Sequence, residues 1–245
     1  MVLAGVVAVV FVATLVRSTF GFGEALIAVP LLALFLPVQV AAPLAVLVSI
    51  TVAAIVIAQD WREVHFRSAA WLVAATVVGI PIGLWLLTSI DARVVKAVLG
   101  LIIAAFALWS LRRRAPRELE RDAMPWMLGC GLVAGVLGGA YGMNGPPLVV
   151  YGALRGWSAQ RFRATLQAYF LPASVLGMAG YAVAGLWSHG VTHDYLVSLP
   201  ATIGATLLGR VLNARLRGPS FLRWVYGALV LTGVALVGQS VRGAL

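Results

Sequence analysis

Two glycine-rich interruptions hold most of the chemistry open to this sequence. Ser18-Thr19-Phe20-Gly21-Phe22-Gly23-Glu24 and Gly138-Gly139-Ala140-Tyr141-Gly142-Met143-Asn144-Gly145-Pro146-Pro147 each break an apolar stretch, and Phe20–Leu26 aligns with Tyr141–Pro147 at an offset of 121 residues. Inside a bilayer an unwound backbone survives only where protein buries it or water lines it. Paired breaks at matching places in two halves therefore point to a binding site. The expected ligand is a small anion, because each break leaves backbone N–H groups and a positive dipole end at the start of the next helix. Gly21, Phe22, Gly23, Gly142, Met143, Asn144 and Gly145 are the candidate binding residues. Glycine also serves close packing: Gly131, Gly135 and Gly139 follow one another at GxxxG spacing, and for Gly129 to Gly135 packing is the expected role.

Glu24, with Arg17 seven residues before it, is the acidic residue expected at membrane depth. Ionisable groups there are costly and usually functional, so coupling to protons or gating of substrate stands against a simple helix-capping role. Asn144, taken as its counterpart in the second break, is neutral. Gln167 and Tyr169 lie inside a long apolar run and can both donate to an oxyanion, or can bond helix to helix. Ser49, Thr51 and Ser174 are the other polar groups in such runs. His189 and His193, with Asp194, have metal-like spacing, but Gly190 lies between them in what reads as an outer loop, and no metal site is expected.

The surroundings of these residues follow from composition. Of 245 residues, 62% are hydrophobic and 11% charged, with a mean hydropathy of +0.99. A soluble domain needs roughly a quarter of its residues charged, so the solvent here is largely the lipid bilayer. At about 20 residues per crossing, the length allows eight to ten hydrophobic elements. The net charge of +10 would suggest nucleic acid in a soluble protein. Here the basic residues fall between apolar runs, and no nucleic-acid partner is expected. A single cysteine, Cys130, excludes an internal disulfide and a cysteine metal cluster. Met1–Val16 is apolar from its first residue and reads as a retained helix, not a signal peptide. Neither HExxH nor GxSxG nor a nucleotide-binding motif occurs, so neither an enzyme nor a cofactor is expected.

Ten apolar runs position the breaks. Five are Val2–Val16, Ala25–Leu36, Val40–Ala58, Ala69–Thr88 and Val94–Leu111; five more are Met124–Ala140, Pro147–Leu154, Ala164–Trp187, Tyr195–Gly209 and Trp224–Val237. The second run of each half is too short to span alone, and the order of short and long runs repeats. The expected fold is an all-α polytopic membrane protein of two inverted five-element repeats, residues 1–111 and 124–245, joined by a basic linker at 112–123. Gln39 matches Gln160 at the same offset, and Gly83 and Gly209 fall near the ends of corresponding runs. With the N-terminus outside, all but Arg93, Lys96 and Arg242 of the 18 basic residues fall to the opposite side, which puts both termini outside and the linker in the cytoplasm. The eight tryptophans sit near run ends, where the membrane interface favours them. Pro81 and Pro200 are expected to kink the fourth element of each half.

Gly21–Leu32 (GFGEALIAVPLL), Gly138–Trp157 (GGAYGMNGPPLVVYGALRGW), the repeat and the basic linker together make the chain similar to the TauE/SafE family of membrane anion exporters. The resemblance covers essentially the whole chain. It implies ion-coupled secondary transport of sulfite, organosulfonates or related anions across a bacterial-type inner membrane, with an anion channel as the rival and a homo-oligomer left open. The family pattern has a triple glycine after Gly-x-Gly, where this chain carries Glu24 and Asn144 instead.

Overall fold

In a computed structural model of the protein, residues 2–112, 124–155 and 159–215 are described, with Val230, Leu231, Val234, Val237 and Gly238 further on. The basic linker after Arg112, most of the tenth expected element, Trp157 and Trp224 lie outside the described residues. The described chain forms helices α1 (Val2–Phe20), α2 (Glu24–Ala33), α3 (Val38–Asp60), α4 (Phe66–Ser89), α5 (Ala92–Arg112), α6 (Met124–Tyr141), α7 (Gly145–Leu154), α8 (Ala159–Val183) and α9 (His189–Arg215), with one 3-10 turn at Trp61–Glu63. No strand occurs among the described residues.

Six of these helices, α1, α3, α4, α6, α8 and α9, are long and apolar enough to cross a membrane. Their outward faces are apolar as well: Val78, Val133, Val183 and Leu207 are all exposed. A helix apolar all round belongs in lipid or in a large core. Trp61, Trp71, Trp85, Trp109, Trp126 and Trp187 are exposed, each within two turns of a helix end. In contrast, α2 and α7 have only 10 residues each. At 1.5 Å per residue each covers about 15 Å, half of a hydrocarbon core.

Seven of the first nine apolar runs lie wholly within one helix each; Ala25–Leu36 runs three residues past the end of α2, and Ala164–Trp187 four residues past the end of α8. Some helices outrun their apolar runs and take in a charge. Arg17 belongs to α1 and is buried, so it is not a loop cation; the buried Arg163 lies within α8, and the exposed Arg210 within α9. The His189–Asp194 segment opens α9 instead of forming a loop. Pro81 and Pro200 lie inside α4 and α9, which are helical on both sides of them.

The most extensive packing joins α4 to α6 and α1 to α9, and α3 lies along α8. Glycine makes the first of these contacts close. A Cβ on Gly79 or Gly83 would run into the backbone of Leu132 or Val136, and one on Gly135 would lie 2.5 Å from the Thr76 carbonyl oxygen. Gly131 and Gly139 meet α4 in the same way, whereas a Cβ on Gly129 would have nothing within 4 Å among the described residues. On the other pair, a Cβ on Gly209 would lie 2.5 Å from Ser18 Cβ.

Candidate functional site

Both breaks are built by glycine in a left-handed conformation that side chains rarely adopt. Gly21 (φ 86°) and Gly142 (φ 66°) end α1 and α6, donating N–H bonds to the carbonyls of Arg17 (2.6 Å) and Gly138 (2.8 Å). Gly23 (φ 103°) then turns the chain into α2 without a side-chain cap. Because α2 starts at Glu24 and α7 at Gly145, the residue opposite Glu24 is Gly145, and Asn144 stands opposite Gly23. The pairing of Glu24 with Asn144 is thus off by one residue.

The two short helices start together, since a Cβ on Gly145 would lie 4.0 Å from Leu26 Cδ1. They then diverge. α2 leads into the start of α3, whereas Tyr151 of α7 reaches Ser68, in the first turn of α4, at 3.3 Å. α3 and α4 are consecutive and start at opposite ends of the bundle, so α2 and α7 run to opposite ends.

Arg17 and Glu24 meet at this junction. Their side chains are 3% and 2% exposed and form an ion pair. Arg17 also donates to Ser49 Oγ at 2.7 Å and to Gln167 Oε1 at 2.7 Å, and its guanidinium lies 4.7 Å from the centre of the Phe170 ring. Gln167 Nε2 donates to the Gly21 carbonyl at 2.9 Å, and Ser49 pairs with Ser174 at 3.0 Å. Ser49 is the midpoint of α3, which places the ion pair near mid-depth. A buried ion pair adds little net stability, because desolvation offsets the attraction. Its cost at membrane depth is better explained by function. Glu24 Oε1 and Arg17 Nε have no hydrogen-bond partner among the described residues.

A cavity of about 20 Å³ lies here, lined by Arg17, Glu24, Ser49 and Phe170 from the first break and its neighbours and by Gly142, Asn144 and Gly145 from the second. That volume holds about one water. An oxyanion fits only after Arg17 and its partners rearrange.

The second break is chemically different. Gly138 takes the place of Arg17, and the Asn144 amide fills the space left by its missing side chain: a Cβ on Gly138 would lie 2.8 Å from Asn144 Nδ2. The Tyr181 hydroxyl donates to the Gly138 carbonyl at 2.9 Å, and the Tyr169 hydroxyl bonds to Thr76 at 2.6 Å and lies close to Asn144. Gln167 and Tyr169 are two residues apart and project from opposite sides of α8, so one serves each break. They do not form a single donor pair. Pro146 and Pro147 carry no N–H, so the start of α7 offers fewer donors than the break alone suggests. The N–H groups at the start of α2 are intact. Phe22 packs edge-on against Phe162 at 5.9 Å and Met143 is fully buried, and neither they nor Gly21 are among the residues that line the cavity.

Thr76 has no signal in the sequence that singles it out, and Phe170 has none beyond its spacing from Ser49. Ser49 and Ser174 stand out there only as polar residues in apolar runs. One clue exists: Ser49 and Phe170, which both contact Arg17, are separated by the same 121 residues as the breaks. Because Thr76 keeps its bond to the Gly131 carbonyl, Tyr169→Phe is expected to cost about 1 kcal/mol, the net worth of the lost Tyr169–Thr76 hydrogen bond, read as a lower unfolding temperature in detergent. An unchanged transition would show that the Tyr169–Thr76 bond carries no stability.

Paired helix breaks meeting at a buried charge, inside a bundle of apolar spans, define a polytopic helical membrane protein of the broken-helix kind found among transporters. The chain belongs to the sulfite exporter TauE/SafE family, whose model matches residues 6–236. It is a membrane transport protein and not an enzyme. It is 27% identical over 178 residues to the "Probable inner membrane transporter protein TsaS" of Comamonas testosteroni, covering 72% of this chain and 74% of that one. It is 26% identical over 178 residues to the "Probable sulfite/organosulfonate exporter TauE" of Cupriavidus necator, covering 73% of this chain and 68% of the other. No solved structure matches the chain.

Proposed function

We propose that this protein is a secondary transporter that exports a small anion, sulfite or an organosulfonate, bound where α2 and α7 meet. The observation that carries this reading is the buried Arg17, a mid-depth cation beside the free N–H groups of α2. The relatives' names and the family description support the substrate class. In the bound state the anion takes the place of Glu24 as the partner of Arg17. Glu24 then carries a proton, which couples anion movement to a proton gradient. The small size of the cavity favours a carrier that opens to one side at a time over an open anion channel.

Two inverted repeats are the architecture we assign, with a tenth element at Trp224–Val237 completing the second. The packing supports it. Exchanging α1–α5 with their counterparts five elements on turns the α4–α6 contact into α9–α1, α3–α9 into α8–α4, and α1–α2 into α6–α7, and each of these contacts exists. Gly83 on α4 meets Val136 and Gly209 on α9 meets Leu15, and Val136 and Leu15 are 121 apart. In a bacterial inner membrane the basic linker faces the cytoplasm and both termini lie outside.

Glu24→Gln tests the coupling. Flux of labelled sulfite into proteoliposomes is expected to remain saturable in this variant but to lose its dependence on a pH gradient. A gradient dependence equal to that of the unmodified protein would remove Glu24 from the coupling while leaving transport standing.

A further inference from the structure

Arg163 is a second buried cation, 8% exposed, and the Arg17 site does not use it. It lies in the first turns of α8, at the end of the bundle where α3 gives way to α4. Its Nε faces Asp60 Oδ2 at 3.5 Å without forming a hydrogen bond, and the Asp60 side chain is 33% exposed. Arg210 of α9 is close enough to repel it. The buried guanidinium is thus balanced by one partly exposed carboxylate through a loose contact, against the repulsion of Arg210.

This corner adjoins the first break directly. A Cβ on Gly21 would lie 3.0 Å from Arg163 Cβ, so the stem of Arg163 rests against the turn that ends α1. Ser18, three residues earlier, packs on Gly209, the residue before Arg210, and its buried hydroxyl has no hydrogen-bond partner among the described residues. Along α8, Arg163, Gln167, Phe170 and Ser174 recur at spacings of four, three and four, which is one face of a helix. Gln167 bonds Arg17 and the Gly21 carbonyl, Phe170 stacks on Arg17, and Ser174 bonds Ser49. A continuous stripe therefore leads from Arg163 to Arg17. From Val175 to the end of α8 no charged residue follows, so the stripe reaches one end of the bundle only.

From this geometry we infer that Arg163 forms a staging site for the transported anion, occupied when the anion displaces Asp60 as its partner. The inference rests on the anion-transport reading above. An anion arriving at the α3–α4 end is concentrated by Arg163 and Arg210, takes the exchangeable place of Asp60, and is one helical turn from Gln167 and the Arg17 site. Clefts lined by one sign of charge raise the local concentration of an oppositely charged ligand by tenfold or more.

The test is initial flux of sulfite and of methanesulfonate in proteoliposomes of defined orientation, with anion offered at either face. Asp60→Asn removes the competitor and is expected to lower KM several-fold at the α3–α4 face alone. Arg163→Gln is expected to raise KM at that face by about tenfold, and to flatten its dependence on ionic strength. The double variant Asp60→Asn/Arg163→Gln leaves no buried charge unpaired, which guards against misfolding, and is expected to match Arg163→Gln. Equal shifts at both faces, or a KM in Asp60→Asn that does not fall, would overturn the staging site while leaving transport intact. Absence of saturable flux in the unmodified protein would instead overturn the transport reading, and the staging site with it.

Discussion

Arg17→Gln is expected to abolish saturable anion transport and to destabilise the protein together. The guanidinium is the hub of the junction: it contacts Glu24, Ser49, Gln167 and Phe170, which come from α2, α3 and α8. Removing it leaves the Glu24 carboxylate buried without a counter-charge, which costs about 3–5 kcal/mol when one partner of such a pair is lost. The double variant Arg17→Gln/Glu24→Gln separates the two effects. It is expected to recover most of the unfolding temperature in detergent, because no lone charge remains, and to recover none of the flux, because no cation is left to hold the anion. Transport restored along with stability would mean that Arg17 is a structural group only.

Gly83→Val is expected to have the largest purely structural effect. A Cβ at Gly83 would collide with the backbone at Val136 and Ala140, and backbone cannot swing aside as the tip of a side chain can. Overpacking in a tight core costs about 1–3 kcal/mol, and forcing α4 away from α6 along their length exceeds that. The expected outcome is loss of monodisperse protein on size-exclusion chromatography after extraction. Gly209→Val, at the equivalent contact of α9 with α1, is expected to fail in the same way. Gly129→Ala, with nothing within 4 Å, is expected to stay within about 0.5 kcal/mol of the unmodified protein. Tolerance of Gly83→Val would refute the close α4–α6 contact, and tolerance of Gly209→Val alone would weaken the two-repeat architecture.

The helices were legible because lipid demands long apolar runs and charge ends them. That rule falters where charge is paired inside. Arg17 looks like the end of a run, yet α1 continues to Phe20 because Glu24, Ser49 and Gln167 absorb the charge. The breaks were legible because glycine and proline at membrane depth have few other uses. The register between them was legible too: the offset of 121 residues already sets Gly145 opposite Glu24, where α2 and α7 begin, and the pairing of Glu24 with Asn144 departed from that offset by one residue. The Arg17–Glu24 partnership could be read from two ionisable residues close together in an apolar stretch. Phe170 could not, since a phenylalanine in an apolar helix looks the same whether it faces lipid, core or a guanidinium. Gln167 and Tyr169 show a similar limit. Both are polar, but their separation by two residues sends them to different breaks, and only the packing of α8 between α3 and α4 reveals which goes where.

The central claim is that an anion binds at the buried Arg17 where the two short helices meet. Its most direct test is flux in proteoliposomes against sulfite, sulfate, thiosulfate, sulfonates and simple carboxylates, comparing the unmodified protein with the Arg17→Gln/Glu24→Gln variant at matched folded content. Saturable flux of at least one sulfur oxyanion in the former and none in the latter is the predicted result; no flux of any anion, or equal flux in both proteins, would contradict it.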